Sequence, residues 1–135
     1  MDEDWWRVYA QEVHSDFLGY KASVCGNSGR YHVHRVMQGR APMQTYGNSG
    51  AGAVAMAALY GARRAILLGY DCAKTGGKTH WHGDHPRGLG NAGSMGNWQH
   101  QFKRLAEGMK GIEIINCSRE TALGMFPRAA LEDVL

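Results

Sequence analysis

Two short stretches of this chain concentrate side chains able to do chemistry. The first is Thr79-His80-Trp81-His82-Gly83-Asp84-His85-Pro86, which sets three imidazoles and a carboxylate within six residues. Imidazoles change charge near neutral pH and serve as proton carriers, metal ligands or hydrogen-bond partners of phosphates and sugar hydroxyls. His82, Asp84 and His85 are the candidates for acid–base work if a substrate is turned over. His80 and Trp81 are candidates for ligand contact, the indole offering a face on which a base can stack.

The second stretch is Gly47-Asn48-Ser49-Gly50. A serine flanked by glycines at a helix start offers open backbone N–H groups, a hydroxyl and the positive end of the helix dipole, a set suited to phosphate or ribose oxygens. Ser49 as a plain N-cap, with Gly50 and Gly52 allowing tight helix packing, accounts for the same residues without a ligand. The pattern is neither GxGxxG nor GxxxxGK[ST] and does not by itself name a nucleotide.

These residues need elements to position them. The run Ala51–Leu59 is too Ala-rich for a strand and predicts a buried helix closing at Gly61. Ala65–Tyr70 follows as a continuous apolar strand, of the kind buried on both faces of a parallel sheet, and it closes with Asp71. Asn97 is the expected cap of the clearest helix, in which Trp98, Phe102, Leu105 and Met109 recur at helical spacing and Gly111 supplies the stop. Ile112–Asn116 is the next strand, followed by a short helix after Ser118 and a last one opened by Pro127, from Ala129 to Leu135. Upstream, Asp4 is placed as the cap of a helix carrying Trp5, Val8, Tyr9 and Val13, while Tyr20–Cys25 and Tyr31–Val36 read as short strands.

Alternation of strand and helix implies an α/β chain, here a small Rossmann-like three-layer domain with a mostly parallel sheet. In such sheets ligands bind beyond the carboxyl ends of the strands. That rule gathers Asn48, Ser49, Gly50, Asp71, Asn116, Ser118 and Arg119 on one rim. The 135 residues suit a single domain, and 44% hydrophobic with 20% charged residues is a globular composition. Residues 72–96 make a Gly-rich segment longer than ordinary connections, which marks it as functional or mobile.

The formal charge of +3 is scattered rather than blocked, so no nucleic-acid partner is expected. Three cysteines without CxxC spacing suggest a reducing compartment and free thiols. No apolar run is long enough to span a membrane, and the acidic start Asp2-Glu3-Asp4 is unlike a leader, so a cytosolic protein is expected. A truncated sheet would leave an open edge, from which we expect self-association, with Trp5 and Trp6 at the interface.

Three resemblances bear on function. His80-Trp81-His82-Gly83-Asp84-His85 resembles the HxHxDH pattern of metallo-β-lactamase-like hydrolases, but downstream of His85 the chain offers only His100 and no Asp before Asp133. No resident metal or cofactor is therefore expected. Gly47 to Pro127 resembles a set of phage-encoded proteins of unassigned activity. The match is carried by Gly47-Asn48-Ser49-Gly50, Leu68-Gly69-Tyr70-Asp71, Thr79-His80-Trp81-His82-Gly83-Asp84-His85-Pro86, Asn116-Cys117-Ser118-Arg119-Glu120-Thr121-Ala122-Leu123 and Phe126-Pro127.

More distantly, the order of Ser-Gly loop, Ala-rich helix, strand ending in Asp and amphipathic helix is similar to the C-terminal half of bacterial sialyltransferases that use CMP-sialic acid. That likeness implies a chain truncated at its N-terminus relative to the glycosyltransferase fold, with nucleotide contacts at Asn48, Ser49, Gly50 and Asp71. Where those enzymes carry a catalytic His before the amphipathic helix, this chain has Gly93-Ser94-Met95-Gly96. The expectation is a small nucleotide-type ligand, bound and sequestered in the cytoplasm of an infected host. The alternatives are an enzyme acting on a nucleotide-sugar and a metal-dependent hydrolase.

Overall fold

Trp5, Trp6 and Val13 share a helix, α1 (Glu3–Asp16), whose acidic first turn, Glu3 and Asp4, complements the positive end of the helix dipole. The computed structural model describes residues 3–38, 40–80, 83–86 and 88–135. It mixes helices and strands in two compact units, Met1–Gln44 with Pro86–Leu89, and Thr45–His85 with Gly90–Leu135. Among the described residues, no helix is long and apolar enough to cross a membrane.

In the first unit α1 is followed by β1 (Ala22–Ser23), a 3₁₀ turn (Ser28–Tyr31), β2 (His34–Arg35), β3 (Met37–Gln38) and β4 (Ala41–Pro42). β1 and β2 pair in parallel, Ala22 opposite His34, and β3 and β4 pair antiparallel. Trp6, Val33, Val36 and Met43 are buried. Asp4 lies inside the first turn and accepts from Arg7 at 3.3 Å instead of capping the helix. The strand expected over Tyr31–Val36 shrinks to His34–Arg35. The Gly26–Gly29 turn runs on into the 3₁₀ turn, with His32 N–H on the Gly29 carbonyl, Val33 N–H on that of Ser28, and His32 left-handed at φ 51°.

The second unit holds α2 (Ser49–Leu59), β5 (Arg64–Leu67), α3 (Met95–Gly108), β6 (Glu113–Asn116) and a closing 3₁₀ turn (Leu131–Asp133). β5 and β6 are parallel, in register from Arg64 opposite Glu113 to Leu67 opposite Asn116. Asn116 N–H also bonds the Pro127 carbonyl at 2.8 Å, and Asn116 bridges Arg128 in parallel, so the C-terminal segment lies along the second edge of β6. Ala51, Val54 and Ala55 from α2, Leu67 from β5, Phe102 and Leu105 from α3, Ile114 from β6, and Leu123 and Phe126 form one apolar core.

Four local expectations change in this unit. The amphipathic helix starts at Met95, with Ser94 rather than Asn97 at its cap position. Trp98 is half-buried, its indole N–H donating to Ser94 Oγ at 3.0 Å, and the buried positions of the stripe are Phe102 and Leu105. No helix follows Ser118, because the side chains of Asn116 and Thr121 take backbone groups that a helix would need. The helix expected over Ala129–Leu135 is only the 3₁₀ turn at Leu131–Asp133.

Candidate functional site

Asn48 is extended, at φ −142° and ψ 132°, and is the N-cap of α2. Its Oδ1 accepts from the amides of Gly50 at 2.8 Å and Ala51 at 3.2 Å, and its Nδ2 donates to Gln101 Oε1 on α3 at 3.3 Å. Two of the amides expected to face a ligand are therefore satisfied within the protein. A cap of this kind contributes about 1 kcal/mol to stability. Ser49, the first residue of the helix, is exposed. Gly50 is needed for close approach, since a Cβ there would stand 2.9 Å from Tyr70 Cε1 and 3.3 Å from Phe102 Cζ.

Tyr70 links this loop to the end of β5. Its hydroxyl donates to the Gly50 carbonyl at 3.4 Å and its ring meets Phe102 edge-on at 5.7 Å. Its backbone is held on both sides by side chains from the segment after β6. Tyr70 N–H donates to Ser118 Oγ at 2.8 Å, and Thr121 Oγ1 donates to the Tyr70 carbonyl at 2.7 Å. Asn116 organises the pair, its Oδ1 accepting from Ser118 N–H at 2.9 Å and its Nδ2 donating to Thr121 Oγ1 at 3.0 Å. Leu123 N–H completes the knot on Thr121 Oγ1 at 3.1 Å.

Asn116 is 0% exposed, so this expected ligand contact is instead a structural residue whose amide is used on both sides. Sequence reasoning missed Thr121. An Asn, a Ser and a Thr at spacings of two and three after a strand, each able to bond nearby backbone, were the available signal.

Beyond the carboxyl ends of β5 and β6 opens a broad cleft of about 1040 Å³, whose walls include Asp71, Thr75, Ser118, Arg119, Glu120 and Arg128. Three expected site residues, Asp71, Ser118 and Arg119, thus meet in one place, and Asn48, Ser49 and Gly50 are not part of its wall. Asp71 Oδ2 accepts from the Thr75 hydroxyl at 2.9 Å. Ser118 Oγ accepts from Tyr70, which leaves its own hydrogen to donate. Arg128 Nη2 donates to the carbonyls of Ser118 at 2.8 Å and Arg119 at 2.9 Å, fixing the guanidinium against the wall. Arg64 and Arg63 are exposed at the opposite, amino end of β5, where Arg64 pairs with Glu113 at 2.6 Å.

Cys72, directly after Asp71, holds a left-handed φ of 50°, a conformation that is uncommon outside glycine. Burial, reinforced by the neighbouring Asp71 carboxylate, pushes its thiol from 9.0 up to about 11. Burial also raises the Tyr70 phenol, with Cys72 adding to the effect. At neutral pH Cys72 is therefore a thiol and not a nucleophilic thiolate. Because the folded value lies above the unfolded one, the stability it contributes is intact below about pH 9 and is lost as pH rises toward 11. In alkylation followed by mass spectrometry, modification of folded Cys72 should accelerate only as pH approaches 11. Rapid labelling at pH 8 would contradict the environment described.

In the histidine loop, the rings of His80 and His85 stand 4.7 Å apart at 59°, and the His85 amide donates to Asn91 Oδ1 at 2.6 Å. Asp84 is exposed. Trp81 and His82 lie outside the described residues. Among the described residues, no group of three or more His, Cys, Asp or Glu side chains is placed to hold a metal ion.

Comparison of the chain with protein-family models, with curated proteins and with solved structures returns no match. The functional reading therefore stands on the cleft and its residues.

Proposed function

We propose that this protein binds a nucleotide-type ligand in the cleft beyond the carboxyl ends of β5 and β6. One observation carries the reading: Asp71 and two guanidinium groups, Arg119 and Arg128, share that cleft with the carboxylates of Glu120 and Glu132 at the rim of a parallel pair. Asp71 suits ribose or sugar hydroxyls, and the guanidinium groups suit phosphate oxygens. The parallel pair with α3 between its strands is the unit from which a Rossmann-like three-layer sheet is built.

Sequestration of a nucleotide signal, as the likeness to phage-encoded proteins implies, needs binding without turnover. A turnover reading is favoured by the His80–His85 ring contact, which sets two proton carriers side by side. Recovering the ligand unaltered and in stoichiometric amount after prolonged incubation supports sequestration, and its conversion supports an enzyme.

Titration calorimetry with a panel of nucleotides and nucleotide-sugars tests the binding itself. Native protein should take up at least one of them. Asp71→Asn should weaken that ligand by about tenfold, the scale of one lost charge-assisted hydrogen bond. Ala130→Trp, which places an indole in the cleft wall, should abolish uptake. Unchanged affinity in both variants would place the ligand elsewhere, and no uptake by native protein would end the nucleotide reading.

A further inference from the structure

Between Asp71 and the histidine loop the chain makes a tight two-residue hairpin. Thr75 N–H donates to the Lys78 carbonyl at 3.2 Å and Lys78 N–H to that of Thr75 at 3.1 Å, an antiparallel bridge. Gly76 and Gly77 turn the corner at φ 57° and 78°, the pair of positive values that a mirror-image hairpin turn requires.

This turn sets Thr75 and Lys78 directly opposite one another, with Cα atoms about 5.5 Å apart. Opposite residues of an antiparallel pair project to the same face. The face of Thr75 is established by its surroundings, since its hydroxyl bonds Asp71 and the residue forms part of the cleft wall. Lys78 itself is exposed and does not line the cleft, but it leaves the hairpin on the same face as Thr75, from which a four-carbon stem can extend its ammonium toward the cleft. Lys74 lies outside the bridged pair.

We infer that Lys78 is the charge-recognising arm of the cleft, and that the group it holds is a phosphate or diphosphate. The inference rests on the cleft being the ligand site. A lysine on a flexible stem acts as a mobile point charge, and guanidinium groups supply directed donors. Arg119 and Arg128 share the wall after β6 with the carboxylates of Glu120 and Glu132, so a third cation, Lys78 arriving from the hairpin, is what tips the balance toward a charge spread over many oxygens. Asp71, already engaged by the Thr75 hydroxyl, is then left to the uncharged, hydroxyl-bearing part of the ligand.

Inorganic pyrophosphate is the probe, because it carries the charge without base or sugar. Calorimetry should show saturable binding to native protein, and Lys78→Ala should weaken it about five- to tenfold. Lys74→Ala removes the same charge from the same hairpin and should stay within about twofold of native, by the small effect of an exposed, unpaired charge. Gly77→Val keeps the ammonium but cannot hold φ 78° without strain, and should match Lys78→Ala. Circular dichroism should show all three variants folded, since the substituted positions are exposed.

Absence of pyrophosphate binding by native protein, an unchanged Lys78→Ala, or equal losses in Lys74→Ala and Lys78→Ala would overturn the inference. The two levels fail separately. Should no nucleotide bind while pyrophosphate binds and is lost with Lys78→Ala, the arm stands and the nucleotide reading falls. Should nucleotides bind native and Lys78→Ala protein alike, the reading stands and the arm falls.

Discussion

Phe102→Ala is expected to lower the unfolding free energy by about 3–5 kcal/mol, the usual range for emptying a buried aromatic position. Phe102 is 1% exposed and meets Tyr70 edge-on at 5.7 Å and Phe126 at 6.3 Å. Its ring also lies close enough to α2 that a Cβ on Gly50 would come within 3.3 Å of it. One side chain thus joins α3, the end of β5 and the start of α2. Truncation removes its transfer free energy and leaves a cavity that three elements cannot close without moving. Phe102→Leu, which keeps most of the volume, should retain much of that stability. Urea unfolding followed by tryptophan fluorescence measures both, and a loss below about 1 kcal/mol for alanine would show that the cavity collapses freely.

Asn116→Ala is expected to cost about 2–4 kcal/mol, from one lost buried hydrogen bond and one stranded buried donor. The Ser118 amide loses its acceptor, and Ser118 is itself 4% exposed, so water cannot readily replace it. Thr121 Oγ1 donates to the Tyr70 carbonyl and accepts from Asn116 Nδ2 and Leu123 N–H, which fills its hydrogen-bonding capacity. Asn116→Asp should rescue only part of this loss, because it keeps the acceptor for Ser118 but turns a second acceptor on a threonine with no hydrogen left to give. A double-mutant cycle with Thr121→Val should reveal strong coupling, since both residues hold Tyr70 through one network. Thermal unfolding of Asn116→Ala within about 0.5 kcal/mol of native would mean that the knot is not what holds this turn.

Much of the second unit was legible from its residues. The Ala-rich run predicts a helix, and α2 stands there; the apolar segment after it does form a strand, but β5 ends at Leu67 rather than Tyr70, with only Leu67 buried and Leu68 exposed. The parallel pairing of β5 with β6 follows from two strands separated by a helix. Asp71, Ser118 and Arg119 meet at one cleft because residues just past neighbouring parallel strands share a rim.

The losses have particular causes. Asn48 rather than Ser49 caps α2, since both are good capping residues and only the chain path into the helix selects between them. Asn116 was expected to face a ligand, and burial, which spacing does not encode, turns it inward. Lys78 escaped notice because its importance depends on a two-glycine corner pairing it with Thr75, and the Gly-rich segment carried no apolar pattern from which to read that pairing. Arg128 follows a proline in a stretch expected to be helical, so nothing marked it as part of a wall.

The bonds that fix the Tyr70 backbone come from Ser118 and Thr121, 48 and 51 positions along the chain. No local event can make them. α2 and α3 can form from contacts within a few turns, whereas the rim must wait until the whole span between β5 and β6 has closed on itself, an entropic step that long-range parallel pairing always carries. During synthesis, then, the helices can already exist while the floor of the cleft does not, because Ser118 and Thr121 must emerge before the Tyr70 backbone can be tied.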